Sequence, residues 1–424
     1  MWYQKVIQIF KVQDLRNKII FVLAILALSR LAASIPIPEV DPARLKEFFA
    51  GNQFFGLLNI FSGGGLANLS IVMLGVGPYI TASIIMQLLT IIFPSIKAIY
   101  YEEGEAGRQK FNQYTRYLTV PLAAIQAFGL ISLLQRQQII GFLTPWQFFS
   151  QIIIIVAGTM FLMWLGELIT EKKIGNGISL LIFAGIVSRL PIDFRQAIVT
   201  YSPDQIPNYV AFAAVALAVI AGVVIISEGQ RNIPVSYAKR IRGMRVYGGV
   251  SAHLPLRVNQ AGVIPIIFAL SILLFPQMIG QVLAAFDAPL LKNLANFLNS
   301  MLQNQVVYGI SYFILVVLFT FFYTAITFEP NEISKNLQKQ GGFIPGIRPG
   351  NFTAEFLSKI MYRVTLAGAF FLGFIAILPL IIKGTTGVTA FALGGTSLLI
   401  VVSVALETMK QIKAQLVMRE YEGF

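Results

Sequence analysis

Residues 75–82 read Gly75-Val76-Gly77-Pro78-Tyr79-Ile80-Thr81-Ala82, and residues 262–269 read Gly262-Val263-Ile264-Pro265-Ile266-Ile267-Phe268-Ala269, so that five of eight positions coincide. A second pair follows in the same order: Gly177-Ile178-Ser179-Leu180-Leu181-Ile182 and Gly395-Thr396-Ser397-Leu398-Leu399-Ile400 share five of six. Apolar sequences match easily by chance, but two matches in the right order point to a duplicated unit. Each match lies at the edge of a long apolar run and carries Gly or Pro, a pattern that marks the functional midplane of membrane proteins built from inverted repeats.

The apolar runs extend this reading over the whole chain. A spanning helix needs about 20 predominantly apolar residues. Ten candidates lie near 19–35, 70–93, 117–134, 148–170, 178–190, 209–227, 261–281, 306–328, 360–382 and 386–407. The fifth is the shortest, ending at Pro191. The matched stretches then fall in spans two and seven, and five and ten. A five-helix unit starts on one side of the membrane and ends on the other, so its second copy is inverted. The expected fold is therefore all-α, with ten transmembrane helices in two halves, 1–190 and 191–424.

Composition and charge agree with a bundle in lipid. Of 424 residues 56% are apolar and 12% charged, and the 32 Lys and Arg exceed the 19 Asp and Glu by 13. If the N-terminus is cytoplasmic, the inner segments carry 24 of the 32 cations and the outer segments 6, with Arg30 and Arg189 at outer helix ends. This is the positive-inside bias, and it puts both termini in the cytoplasm. The N-terminal run into Ile19–Leu28 resembles a signal peptide, but Arg30 and Pro36-Ile37-Pro38 interrupt the cleavage-like region, so it reads as the first span.

Between spans one and two, Phe54-Phe55-Gly56-Leu57-Leu58-Asn59-Ile60-Phe61 is apolar but too short to cross, and Ser62-Gly63-Gly64-Gly65 breaks it. Two forms suit such a segment: a re-entrant helix buried against protein, or an interfacial helix on the outer leaflet.

Val76 and Ile80 stand four residues apart, as do Ile178 and Ile182, so each pair shares a helix face. The repeat aligns Ile80 with Ile267 and Ile182 with Ile400. If the halves meet around an axis, these side chains converge into an apolar girdle, which blocks ions by dewetting and binds nothing.

Other functions find little support in the residues. Cysteine is absent and His253 is the single histidine, which leaves no disulfide, thiol nucleophile or histidine metal cluster. No catalytic residues, metal or cofactor are expected. An ion-coupled transporter places acids near the midplane, whereas Glu167, Glu228, Glu329 and Glu407 fall near cytoplasmic span ends. An intramembrane protease needs paired aspartates, and Asp14, Asp41, Asp193, Asp204 and Asp287 all lie outside the spans. No Gly-rich phosphate loop ending in Lys-Ser/Thr occurs, so any driving force comes from a partner. The basic segment 228–260, with Arg231, Lys239, Arg240, Arg242, Arg245 and Arg257, and the stiff turn at Arg348 in loop 329–359, could meet ribosomal RNA phosphates or an acidic motor protein. Anionic lipid and plain topology also account for basic residues there.

Ser62-Gly63-Gly64, Pro78-Tyr79-Ile80, Gln113-Tyr114-Thr115-Arg116-Tyr117, Gly175-Asn176-Gly177-Ile178-Ser179, His253-Leu254-Pro255-Leu256, Pro345-Gly346-Ile347-Arg348-Pro349-Gly350 and Gly394-Gly395-Thr396-Ser397-Leu398-Leu399 together resemble the SecY family. These are channel subunits of the bacterial protein-conducting translocon. The resemblance implies an inner-membrane channel that translocates unfolded polypeptides and releases apolar segments laterally into the bilayer. It implies a plug over about 54–66 (Phe54, Phe55, Leu57, Leu58, Ile60, Phe61, Gly63, Gly64) and a pore ring of Val76, Ile80, Ile178, Ile182, Ile267 and Ile400. A lateral gate would lie between spans two and three and spans seven and eight, with Gln126 and Asn259 as its polar positions. The implied partners are the small subunits SecE and SecG, the ATPase SecA, the ribosome, and secretory or membrane protein substrates. Two departures stand out: Val76 where many relatives have isoleucine, and Met244 in place of one of a pair of arginines, leaving Arg245.

Overall fold

A computed structural model describes residues 11–38, 65–66, 69–136, 138–199, 206–237, 240–242, 245–247, 251–284, 304–386 and 394–422, together with 289, 293–294, 296–298 and 300. Each of the ten candidate spans is met by one long helix. In chain order these are α1 (Gln13–Ala33), α2 (Gly77–Ile92), α4 (Gly104–Arg136), α5 (Pro145–Glu171), α6 (Gly177–Val199), α7 (Ile206–Glu228), α8 (Ile264–Ala284), α9 (Gln305–Thr327), α11 (Asn351–Thr386) and α12 (Gly394–Glu422). Short helices α3 (Pro94–Tyr101) and α10 (Pro330–Lys339) lie between them. Among the described residues, Gly104–Gln135, Pro145–Glu171, Gln305–Lys339 and Asn351–Leu378 are each long and apolar enough to cross a bilayer unaided. The bent pair α2–α3 adds a fifth, and Gly177–Ile192, Ala213–Glu228 and Ile264–Leu273 are shorter apolar stretches.

Local chemistry accounts for the punctuation. Phe93 is extended because it precedes Pro94, which disfavours helical backbone in the residue before it, and the axis turns by 111° between α2 and α3. A capping box starts α5: Thr144 accepts from the Gln147 backbone N–H, and the Gln147 side chain accepts from Thr144 N–H at 2.8 Å. Pro191 does not end the fifth span as the sequence suggests. Helix α6 runs through it to Val199, as membrane helices tolerate where neighbours satisfy the freed carbonyl. The proposed boundary at 190/191 thus falls inside a helix.

The bundle is apolar on both faces, as lipid requires. Ile310, Ile314 and Leu318 form an exposed stripe on α9, and Leu366, Phe370 and Phe374 form one on α11. Inward-facing residues build one large cluster that joins α1, α2, α5–α9, α11 and α12. The first turns of α1 meet the last turns of α12 through Leu15 and Leu416, with Val12, Ile19 and Ile412 around them. The start and the end of the described chain therefore lie together.

The basic segment after α7 is more ordered than its composition suggests. Strands β1 (Gln230–Tyr237) and β4 (Ser251–Arg257) pair antiparallel from Gln230↔Arg257 to Ser236↔Ser251. Strands β2 (Arg240–Arg242) and β3 (Arg245–Tyr247) form a second antiparallel pair. Strand β5 (Gly342–Phe343), from the other long loop, joins β1 at Ser236 and Tyr237. The two loops thus share one sheet, with Pro234 beyond the reach of β5, where its missing N–H costs no ladder bond. Ile233, Val235 and Leu256 face Ile344, Leu357, Ile360 and Met361 beneath. The otherwise helical fold is completed by this small sheet.

Helix α5 approaches the segment leading into α2 very closely. A Cβ on Gly158 would overlap the Ile71 carbonyl oxygen and stand 3.2 Å from Val72 Cγ1. Gly158→Val should therefore force the 71–76 turn away and lower stability by about 1–3 kcal/mol. Thermal unfolding of the detergent-solubilised protein measures this, and an unchanged midpoint would refute the contact.

Candidate functional site

The two repeated stretches take the same local form. Gly75 and Gly262, aligned in the repeat, adopt left-handed φ of +58° and +63°, a conformation that disfavours any side chain. Each leads into a helix whose first turn closes identically: Ile80 N–H donates to Val76 O at 3.1 Å, and Ile267 N–H to Val263 O at 3.3 Å. Pro78 and Pro265 sit in those first turns, where a missing N–H is harmless. The second pair agrees too, since α6 begins at Gly177 and α12 at Gly394.

Five of the six residues assigned to the ring are fully enclosed. Val76, Ile80, Ile182, Ile267 and Ile400 are at most 4% exposed and belong to one apolar cluster, and Ile178 is half-buried against it. They come from α2, α6, α8 and α12 or the turn just before. Repeat-related helices meet in pairs, α2 against α8 and α6 against α12. All six ring residues are aliphatic, and the wider cluster also takes in Tyr312 of α9.

Charged pairs stand near the ends of the apolar stretches. Arg116 Nε donates to Glu167 Oε1 at 2.7 Å, joining α4 to α5. Lys410 Nζ lies 3.0 Å from Glu228 Oε1 and donates to the Ser227 carbonyl at 3.1 Å, joining α12 to α7. Two of the four acids weighed against ion coupling thus hold cations in place.

Helix α8 packs against both α2 and α4, so the seam assigned to the gate is closed by direct contact. Gln126 and Asn259 are both buried. Asn259 Nδ2 donates to Gly262 O at 3.1 Å and so secures the left-handed turn, while its Oδ1 is enclosed without a protein donor. Toward one end of the same seam, Tyr101 donates to Ile326 O at 3.1 Å and ties α3 to the end of α9. On the opposite flank, Gln415 Nε2 of α12 donates to Lys173 O at 2.6 Å. Sequence reasoning missed Tyr101 and Gln415, because neither spacing nor hydropathy marks a single side chain that reaches a distant carbonyl.

The residues assigned to docking fare unequally. Arg231 is exposed on β1. Arg348 is exposed in a turn built on Gly346 (φ +83°) and Gly350 (φ +95°). Thr353 Oγ1 donates to Arg348 O at 2.9 Å and Ser334 Oγ to Gly350 O at 2.6 Å, which holds that turn rigid. Arg240, Arg242 and Arg245 lie on β2 and β3. Lys239 and Met244 lie outside the described residues, as do the plug positions Phe54, Phe55, Leu57, Leu58, Ile60, Phe61, Gly63 and Gly64. Leu66, at the end of that segment, is buried with Leu69, Met73 and Ile131.

Comparison with known proteins gives a consistent result. The SecY family profile matches residues 70–409. A protein translocase subunit SecY from Corynebacterium glutamicum is 45% identical, with 99% of each chain covered. Its counterpart from Mycobacterium tuberculosis is 44% identical over 97% of each. Among solved structures, one described as a protein conducting channel aligns with a TM-score of 0.65 at 22% identity, covering 93% of this chain and 91% of that one. Sec61 in the canine ribosome-channel complex from the endoplasmic reticulum aligns at 0.63 and 22%, with the same coverage. A multi-pass membrane chain with paired, repeat-related helices around an apolar centre, matched at this level along nearly its whole length, belongs to the SecY family.

Proposed function

We propose that this chain is the channel subunit of a protein translocase, passing unfolded polypeptides across the membrane and releasing apolar segments sideways into lipid. The observation that carries the reading is the enclosed apolar cluster at which repeat-related helices meet, which holds all the aliphatic residues assigned to the ring. A passing chain presents every kind of side chain, so the passage cannot recognise sequence and can only close around what is there. Branched aliphatics make no hydrogen-bond demand and seal without binding. A charge there would draw in water and hold oppositely charged segments.

In this reading Val76, Ile80, Ile178, Ile182, Ile267 and Ile400 form the waist, and residues 1–190 and 191–424 are its two inverted halves. The shared left-handed glycines at 75 and 262 support the duplication. Residues 54–66 act as plug. The gate opens where α8 leaves α2 and α4, with Gln126 and Asn259 at the seam. Sorting then follows from partitioning: a segment of about 20 apolar residues gains by leaving into lipid, while a polar one stays in the aqueous path.

The reading makes the chain a passive conduit, and its energy comes from partners. Arg231 on the three-stranded sheet, Arg240, Arg242 and Arg245 on the β2–β3 pair, Lys239 in the same segment, and the rigid Arg348 turn form a basic platform for the ribosome, through rRNA phosphates, or for the SecA motor. The fold shared with Sec61 of a ribosome-channel complex supports the first. SecE and SecG cover part of the exposed apolar flank, and anionic headgroups meet the basic inner rim. This orientation puts both termini in the cytoplasm, in a bacterial inner membrane, as the cation bias indicates.

A stalled secretory chain should crosslink to photoreactive residues placed at Ile80 and Ile267; adducts elsewhere with none at these two positions would overturn the assignment. Ile182→Arg puts a charge among apolar groups at a cost of roughly 2.5–3.5 kcal/mol on insertion scales, and water must follow it. Resting vesicles holding this variant should leak ions, and unchanged conductance would count against the waist.

A further inference from the structure

The start of α6 is anchored to α5 with unusual tightness. Gly177 lies directly on the Gly166 carbonyl, leaving no room for a Cβ. Thr170 Oγ1 donates to Gly166 O at 2.9 Å and accepts from Gly177 N–H at 2.9 Å. Asn176 Oδ1 accepts from Ser179 N–H at 3.1 Å. The backbone of Ile178 is therefore fixed on three sides. Its side chain is not. A Cβ on Gly166 would stand 2.6 Å from Ile178 Cδ1, 3.3 Å from Leu181 Cδ1 and 3.4 Å from Ile178 Cγ1, so the tip of Ile178, with Leu181 beside it, occupies the space that any larger residue at 166 would fill. Ile182, one turn further on the same face, is sealed in the cluster, whereas Ile178 remains half-buried.

We propose that Gly166 is a docking notch for Ile178, which holds the tip of this side chain clear of the aperture and so sets how wide the waist can open without moving a helix. The inference rests on the ring assignment above. An isoleucine is stiff at its first torsion, so the mobile part is Cδ1, with two resting places: in the notch against α5, or turned out on the face shared with Ile182. Gly166 is a positioning residue, acting only through Ile178. Filling the notch with one methyl group denies the first place and makes the aperture narrower and less yielding.

The test uses inverted membrane vesicles holding the full chain, with a preprotein carrying a disulfide-closed loop and the same preprotein reduced. The readout is the ratio of looped to reduced translocation. Gly166→Ala should lower this ratio several-fold, and Gly166→Ala with Ile178→Val, which deletes Cδ1, should restore it. Equal slowing of both preproteins, or no rescue by Ile178→Val, would reduce Gly166 to a packing residue and overturn the proposal. Ile80→Phe serves as the control for the ring: if it too leaves the ratio unchanged, the ring assignment fails and the notch with it. If Ile80→Phe lowers the ratio and Gly166→Ala does not, the notch alone is wrong. Should Gly166→Ala not accumulate, Ile178→Val alone decides. The ratio should stay near wild type, because the deleted tip already rests outside the aperture, and a several-fold rise would overturn the proposal.

Discussion

Contact between branched aliphatic side chains is the interaction on which this molecule depends. A bilayer offers no water to an exposed backbone group or charge, so a passage for unfolded chains must be sealed when empty and must release whatever crosses it. Only a surface that neither donates nor accepts hydrogen bonds meets both demands. The rest of the structure serves this centre. Four helix starts deliver the side chains, left-handed glycines at 75 and 262 set the entry of two of those helices, and close glycine contacts along α5 hold the segments behind them.

The placement of charge follows from the same demand. Ion pairs such as Arg116–Glu167 and Lys410–Glu228 stand near the ends of the apolar stretches, where they join neighbouring helices. Exposed pairs of this kind contribute only about 0–1 kcal/mol, so they guide alignment more than they stabilise. Two side chain-to-carbonyl bonds, from Tyr101 and Gln415, bridge segments more than 200 residues apart. Each is a neutral hydrogen bond, and the one from Tyr101, at the seam, is weak enough to be exchanged for water when the seam opens.

Much of this was legible in the sequence, for reasons that can be named. Span existence follows from hydropathy, and all ten candidates coincide with helices. The repeat was readable because inward-facing positions such as Ile80/Ile267 and Ile182/Ile400 tolerate little change in shape. Boundaries were read less well. Pro191 looked like a stop but sits inside α6, because a neighbouring helix can shelter a freed carbonyl, which no local rule detects. The sheet after α7 was hidden by its charge. The alternation of Ile233 with Val235, and of Leu254 with Leu256, was its one signal, and pairing with β5 from a loop about 100 residues away is a tertiary fact. The Gly166 notch was likewise out of reach, since a glycine in a membrane helix has many uses and only coordinates show which side chain fills the space it leaves.

The most direct test of the sealed waist exploits the absence of cysteine from the chain. Ile80→Cys and Ile267→Cys together place one thiol on each repeat-related helix, and a short thiol-reactive crosslinker that is cleaved by reductant can join them. Translocation should stop when the bridge forms and resume when it is cleaved, because the bridge spans the passage itself. If the two thiols join and polypeptides still cross at the normal rate, the chain travels by another route and the account is wrong.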